Sequence, residues 1–452
     1  METKVKSAIQ SVSPHTGKVI RTFTPHSRQD VEEMLRGLTN AQREWSHSSF
    51  QERSHALREV ARRLRQQKLK LAEIAHQEMG KQMGEAVAEV EKCATCCDYY
   101  AERGPDFLAP EPVATEARKS YVHFAPLGVV LAIMPWNFPF WQAVRCAAPA
   151  IMAGNAVILK HASNVTNCAL ELQEIFAGIF PGGPLFGTAI IGGAAALDMI
   201  SFPEVAAVSF TGSTPVGKKV AEAAGRHLKK SVLELGGSDA YLVLADADLD
   251  RAAFSCAFSR LINAGQSCIA AKRFIVEAPA HDRFVDLLAD QMKRMSLAPL
   301  AREDLRRELQ EQVDASVKEG ARLVMGGGIP AGDGFFYPAT VLAEVRPGMT
   351  VFDQETFGPV AAVVKAKSRD EAITLANQSS FGLGAAVFTQ TVLEGERIAR
   401  DLLEAGNCFV NTYVRSDARL PFGGMKESGL GRELSYFGVR EFTQPKTVYI
   451  AP

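Results

Sequence analysis

Two textures of hydrophobic and polar residues divide this chain. Between about 27 and 103 the apolar positions recur at helical spacing. SRQDVEEMLRGLTNAQREW opens on Ser27, has Asp30 where a capping box usually carries Glu or Gln, and predicts a helix. FQERSHALREVARRLRQQKLKLAEIAHQEMGK keeps the same period, and its dense Arg and Lys read as a solvated helix face. AEVEKCATCCDYYAE also reads as helix. From 120 the pattern changes. SYVHFAPLGVVLAIMP alternates and then runs continuously apolar, which predicts strand, turn and buried strand. A helix from about 140 ends near MAGN, AVILK is a strand, and NVTNCALELQEIFAGI is a helix. TAIIGG, VAAVSFTG and KSVLELGG are short apolar runs ending in glycine or polar residues, with GKKVAEAAGRHL as a helix between the last two.

Strands alternating with helices imply a parallel, doubly wound sheet, and such sheets bind ligands outside the carboxyl ends of their strands. Lys160, Thr211, Gly212, Ser213 and Glu234 stand at such ends. A second alternating series runs from AYLVLADADLD to NCFVNTY, followed by the Gly-rich PFGGMKESGLGREL and a terminal strand, KTVYIAP. The expected fold class is α/β with two doubly wound, Rossmann-like units and Cys268 in the second. No repeat of solenoid length is visible.

Composition narrows the function. At 452 residues the chain exceeds one ordinary core. Apolar residues make up 47% and charged residues 22%, as in globular proteins. A net charge of −1 with mixed signs offers no nucleic-acid or membrane surface. The N-terminal stretch lacks a signal-peptide run, and no window holds 18 uninterrupted apolar residues, so a cytoplasmic enzyme or binding protein is expected. The eight cysteines are scattered, which speaks against a disulfide framework. CATCC, with Cys93, Cys96 and Cys97, looks like half a metal site. No second pair stands at zinc spacing, so packing rather than metal binding is expected.

Several short motifs each have an ordinary and a chemical reading. NAGQSCIAAKRF makes Cys268 either a small buried residue or a nucleophile. In TGSTPVGKKV, Gly212, Gly217 and Lys218 fit a P-loop, but Lys219 replaces the Ser/Thr that would hold magnesium, and what survives is a Gly-Ser turn at a helix N-terminus, suited to a pyrophosphate. Lys160 in LKHASN either reaches water or bonds a ribose or phosphate. Glu234 in VLELGG is either bound to backbone N–H groups or a carboxylate with a raised pKa, as a general base near neutral pH requires. Asn137 in MPWNFPFW, stiffened by a proline two places away on either side, either closes a turn or offers its amide to an oxyanion.

Together, MPWNFP, FTGST, LELGG, GQSC, ETFGP and PFGGMKESGLGRE, in that order, resemble the aldehyde dehydrogenase superfamily over nearly the whole chain. CDYYAERGP, LAIMPWNFPFWQ, LKHASN, LELGGSDA and SDARLPFGG look like the short bacterial succinate-semialdehyde dehydrogenases in particular. The resemblance implies NAD(P)-dependent oxidation of succinate semialdehyde to succinate. Cys268 would attack the aldehyde, Asn137 and the Cys268 N–H would hold the oxyanion, and Glu234 would activate the water that hydrolyses the thioester. Lys160 would bond the adenine-side ribose, Gly212 would let the dinucleotide approach, and Ser213 would bond the pyrophosphate. Thr211 and Leu235 would lie beside it, Glu355 would hold the nicotinamide ribose, and Phe357 and Trp136 would line the channel. Three parts are also implied: a cofactor domain of 1–107 and 127–235, a catalytic domain of 236–430, and an oligomerisation flap of 108–126 and 431–452. The flap implies a homodimer or homotetramer.

Departures from the family pattern refine these expectations. Relatives that prefer NAD often carry Glu three residues after the lysine, where Ser163 stands here, so NADP is expected to be accepted beside NAD. For the substrate carboxylate, Arg145 matches a family arginine eight residues after Asn137, with Ser416 and Arg419 as further contacts; its other reading is an ion pair on its own helix. A second arginine that some relatives carry is Ile262 here. Ala270 stands where some relatives have a second cysteine, so no vicinal redox switch is expected. The alternatives are a broader aldehyde dehydrogenase acting on glutarate semialdehyde or aromatic aldehydes, a CoA-acylating relative, and a non-catalytic dinucleotide-binding protein.

Overall fold

The computed structural model describes residues 8–452; residues 1–7, the start of the stretch read for a leader, lie outside them. Two parallel-rich sheets form the frame. In the first, six strands lie in the order Gly429–Leu430, Lys230–Glu234, Val205–Thr211, Val129–Met134, Ala156–His161 and Phe186–Thr188. All neighbours are parallel except the Gly429–Leu430 edge. In the second, seven strands run in the order Arg322–Met325, Thr340–Ala343, Val360–Ala366, Arg273–Glu277, Ala240–Val243, Gly384–Phe388 and Asn407–Val410, with Arg322–Met325 alone antiparallel. Val129–Met134 is buried at every position, as a strand covered by helices on both faces must be.

The helical first stretch becomes Arg28–Trp45, Phe50–Gln66, Lys68–Met79 and Met83–Leu108. The Ser27–Asp30 capping box forms: the Ser27 hydroxyl accepts from the Asp30 N–H, and the Asp30 carboxylate accepts from the Ser27 N–H. The charge-dense face is corrected at three points, Arg53, Glu78 and Lys81, all of them buried. Arg53 is buried and donates to the carbonyls of Met152, Trp45 and Ser46, and Glu78 is buried and accepts from the N–H groups of Asn167 and Cys168. Cys93, Cys96 and Cys97 are packed in the core. A hairpin, Ile9–Val12 with Val19–Phe23, was not anticipated from the sequence; its alternation is too short to register.

A third sheet pairs Thr443–Ile450 with Lys119–Pro126, and Lys119–Pro126 with Glu111–Pro112, leaving Thr443–Ile450 on an edge. The Gly-rich loop was read as part of the second unit. It crosses back instead, and Gly429–Leu430 pairs with Lys230–Glu234 beside Glu234. No helix among the described residues is long and apolar enough to cross a membrane.

Candidate active site

The carboxyl ends of the first sheet face the loop that carries Cys268 across a cleft of about 900 Å³. Lys160, Thr211, Gly212, Ser213 and Leu235 line it from the first sheet, Trp136 and Asn137 from the loop after Val129–Met134, and Cys268, Glu355 and Phe357 from the second unit. Ser163 lies in an adjoining cleft that shares Lys160. All the cofactor positions expected from the sequence therefore converge on one continuous region.

Backbone geometry sets the Cys268 loop. Asn263, Ala264 and Gly265 have φ of 53°, 53° and 76°, three consecutive left-handed residues, two of them not glycine. Such strain persists only where the surroundings hold it. Here Glu85 accepts from the Asn263 N–H at 2.9 Å, and the Asn263 amide donates to the Asn137 carbonyl at 2.8 Å. Lys272, 1% exposed, donates to the carbonyls of Ser267, Cys268 and Ala270 at 3.2, 2.8 and 3.2 Å and lies 3.6 Å from the Glu355 carboxylate. Lys272 thus fixes the Cys268 loop and a cleft-lining carboxylate with one ammonium. Replacing it by methionine leaves three carbonyls and Glu355 without their cation. We expect a loss of about 3 kcal/mol or more, read as a fall in the denaturation midpoint, together with a raised KM for the dinucleotide.

Asn137 is buried, and its amide nitrogen is 3.1 Å from the Gln266 carbonyl. Gln142 donates to its oxygen at 3.4 Å, which turns the NH2 group toward the Cys268 loop. The helix that follows, Trp141–Met152, has no side-chain cap of its own. Glu89 supplies one from Met83–Leu108, accepting from the N–H groups of Phe140 and Trp141 at 2.8 and 2.9 Å. Lys81 pairs with Glu89 and sits over the Phe138 ring. The MPWNFPFW turn is therefore held from below by a buried ion pair.

Burial and the Glu355 and Glu234 charges push the Cys268 thiol up to about 12, with Arg145 and Lys272 pulling the other way. Glu234 is 1% exposed, and neither of its carboxylate oxygens has a hydrogen-bond partner among the described residues. Burial foremost, and then the nearby Glu433, raise its pKa well above the ordinary value. The backbone-bound reading of Glu234 is thereby set aside. The two glycines after it serve different neighbours. A Cβ on Gly236 would come within 2.6 Å of the Glu355 carboxylate, and one on Gly237 within 2.7 Å of the Cys268 carbonyl. LGG allows both sides of the cleft to close on the same strand end.

Two of the substrate positions are corrected. Arg145 is buried with its Nε 2.5 Å from Glu433 and an Nη donating to Thr211 at 3.1 Å, so its fork is already engaged and is not an open bidentate clamp. The ion pair is neither on its own helix nor foreseen, because Glu433 arrives from the Gly-rich loop. Arg419 is exposed and pairs with Asp417 at 2.6 Å, away from the site. Ser416 is buried and accepts from Lys92 at 2.6 Å. Lys92, Lys272, Gln266 and Glu433 were missed as site residues, although GQSCIAAKRF and GLGREL contain three of them.

A dinucleotide fits the donor set. Ser213 caps the helix Thr214–Arg226 by position, yet its hydroxyl makes no capping bond, so the helix N-terminus faces the cleft with unsatisfied N–H groups. Lys160 has no carboxylate within ion-pair distance among the described residues. Phe357 meets Trp136 edge to face at 5.7 Å, forming an aromatic wall near Cys268.

Comparisons with known proteins point the same way. The profile of the Aldehyde dehydrogenase family matches residues 1–448. The probable succinate-semialdehyde dehydrogenase [NADP(+)] of Synechocystis sp. is 43% identical over 456 positions, 98% of this chain and 100% of that protein. The succinate semialdehyde dehydrogenase [NAD(P)+] Sad of Escherichia coli is 43% identical, covering 97% of each. The crystal structure of succinic semialdehyde dehydrogenase from Streptococcus pyogenes, in complex with NADP+, superposes with a TM-score of 0.95 at 36% identity, covering 98% of this chain and 100% of that one. A cysteine on a strained loop and a helix N-terminus line one cleft, the unpartnered Glu234 carboxylate is buried next to its lining residue Leu235, the frame superposes on that of the Streptococcus pyogenes enzyme, and the chain belongs to the aldehyde dehydrogenase family.

Proposed function

We propose that this protein oxidises succinate semialdehyde to succinate with NADP or NAD. The observation that carries the reading is the convergence of Cys268 with Asn137, Lys160, Ser213 and Glu355 around one cleft, in a chain 43% identical to enzymes named for this substrate. Cys268 adds to the aldehyde carbon, and the oxyanion takes hydrogen bonds from the Asn137 amide and the Cys268 N–H. A nicotinamide dinucleotide held in the cleft by these residues would supply the hydride acceptor. The thioester left on Cys268 is hydrolysed by water that Glu234 deprotonates, which restores the thiol and releases the acid. A base poised for water favours hydrolysis over transfer to CoA. Lys160, Ser163 and Ser213 would hold the adenosine and pyrophosphate end, with Thr211, Gly212 and Leu235 beside them; Glu355, Phe357 and Trp136 would hold the nicotinamide end.

In this reading 1–107 and 127–235 form the cofactor domain, 236–430 the catalytic domain, and 108–126 with 431–452 an oligomerisation flap. Thr443–Ile450 is an edge strand with Tyr449 and Ile450 exposed, which favours sheet extension by a second copy and hence a homodimer at least. Eight free cysteines suit a reducing, cytoplasmic setting.

The test is kcat/KM for succinate semialdehyde, glutarate semialdehyde and butyraldehyde, each with NADP and NAD. A preference for succinate semialdehyde is expected, and equal efficiency on all three points to the broader enzyme. Ser163→Glu places a carboxylate where a 2′-phosphate would sit, and kcat/KM with NADP should fall at least about tenfold relative to NAD. An unchanged ratio would remove Ser163 from cofactor choice.

A further inference from the structure

Helix Met83–Leu108 turns one stripe of side chains toward the active site. Glu85 holds the Asn263 N–H, Glu89 caps the helix of Trp141 and Arg145, and the next in line is Lys92. Its ammonium donates to Ser416 at 2.6 Å and lies 4.1 Å from the centre of the Trp141 ring. One turn along from Trp141 is Arg145, whose guanidinium stands over Phe422, at the far end of the loop that carries Ser416. Lys92, Trp141, Arg145, Ser416 and Phe422 are thus one cluster, tied to Asn137 through the turn that leads into the Trp141 helix.

Charge in this cluster does not balance. Glu89 has Lys81, Glu433 has Arg145, and Asp417 has Arg419. Lys92 has no carboxylate within ion-pair distance among the described residues. A hydrogen-bond donor is unpaired as well: the indole N–H of Trp141, a residue 3% exposed, has no acceptor among the described residues. A buried donor and a partly buried cation without counter-charge are costly unless a ligand satisfies them. A carboxylate does so.

We infer that Lys92, with Ser416 and the Trp141 indole N–H, seats the carboxylate at the far end of the aldehyde substrate. The inference rests on the proposed ω-carboxy aldehyde reading and assigns the anchoring charge to Lys92, where Arg145 is neutralised by Glu433. Burial foremost, and then the like charge of Arg145, pull the Lys92 pKa down to about 8, with Cys93, Cys96 and Glu89 opposing; Asp417 also feels its charge. Lys92 is therefore charged below about pH 8 and loses that charge above it.

The readout is the ratio of kcat/KM for succinate semialdehyde to that for butyraldehyde, because steps shared by both substrates cancel. In Lys92→Met this ratio should fall by about 10- to 100-fold, with Lys92→Arg retaining more of it. In the wild type the ratio should fall as pH rises through about 8, since kcat/KM reports the free enzyme, and this measurement is independent of whether any variant folds. A wild type that prefers succinate semialdehyde at all pH values, together with a Lys92→Met variant that loses activity equally on both aldehydes, would overturn the anchor and leave the substrate reading standing. A wild type with no preference would overturn the substrate reading and the anchor with it.

Discussion

Replacing Cys268 with serine is expected to lower kcat for aldehyde oxidation on the order of 10⁴-fold or more, with no acyl adduct detected at position 268 by intact-protein mass spectrometry. Cys268 is the one cysteine among the described residues that lines the cleft; Cys93, Cys96, Cys97, Cys146, Cys168 and Cys256 are buried elsewhere. A serine hydroxyl needs a base beside it to become a nucleophile, and no histidine among the described residues lines the cleft. Sulfur has an advantage here because a thiol is intrinsically more acidic and more nucleophilic than a hydroxyl, even though burial pushes its pKa up to about 12 against the opposing pull of Arg145 and Lys272. Iodoacetamide labelling of the free enzyme should accordingly be slow at neutral pH and quicken as pH rises. A serine variant with near wild-type turnover would refute the covalent mechanism.

Replacing Glu234 with glutamine should separate the two half-reactions. Cys268 and Asn137 are untouched, so a single burst of about one reduced dinucleotide per site is expected, followed by a steady rate lower by about 10²- to 10⁴-fold. The acyl-enzyme should then be visible by mass. Loss of the burst would instead place Glu234 at thiol deprotonation, and full turnover would place the water-activating base elsewhere. The same variant carries a stability signature. Burial raises the Glu234 pKa above its value of about 4.5 in the unfolded chain, so above that pH the unfolded state binds fewer protons than the folded one. Wild-type stability therefore loses ground as pH rises above about 4.5. The glutamine variant lacks this loss, and its Tm relative to wild type should climb steadily with pH.

The parts of the site that could be read along the chain are those built from contiguous residues. GQSC announces a cysteine on a tight loop, and LELGG announces a strand-end carboxylate with two positions that admit no side chain. Gly236 and Gly237 now show why: one makes room for Glu355, the other for the Cys268 carbonyl. The Ser213 turn and the Lys160 strand end were legible for the same reason, since strand, turn and helix are encoded within about ten residues.

Arg145 illustrates the opposite case. Its position eight residues after Asn137 is a local fact, but its charge state depends on Glu433, which a Gly-rich loop returns to the first sheet from the far end of the chain. Lys92 looked like one more cation on a helix, and its partner Ser416 lies 324 residues away. Lys272 stands four residues after Cys268, but its role follows from three carbonyl acceptors and Glu355, which only the fold brings together around one ammonium.

Hydrophobic period, glycine placement and the order of short motifs are properties of neighbouring residues, and they determined the α/β class and singled out Cys268 as the candidate nucleophile before any folding was known. Which charges are neutralised and which remain open to a substrate is a different kind of quantity. It depends on distances of a few ångströms between segments hundreds of residues apart, because Coulomb and hydrogen-bond energies in a buried site are fixed by separation in space.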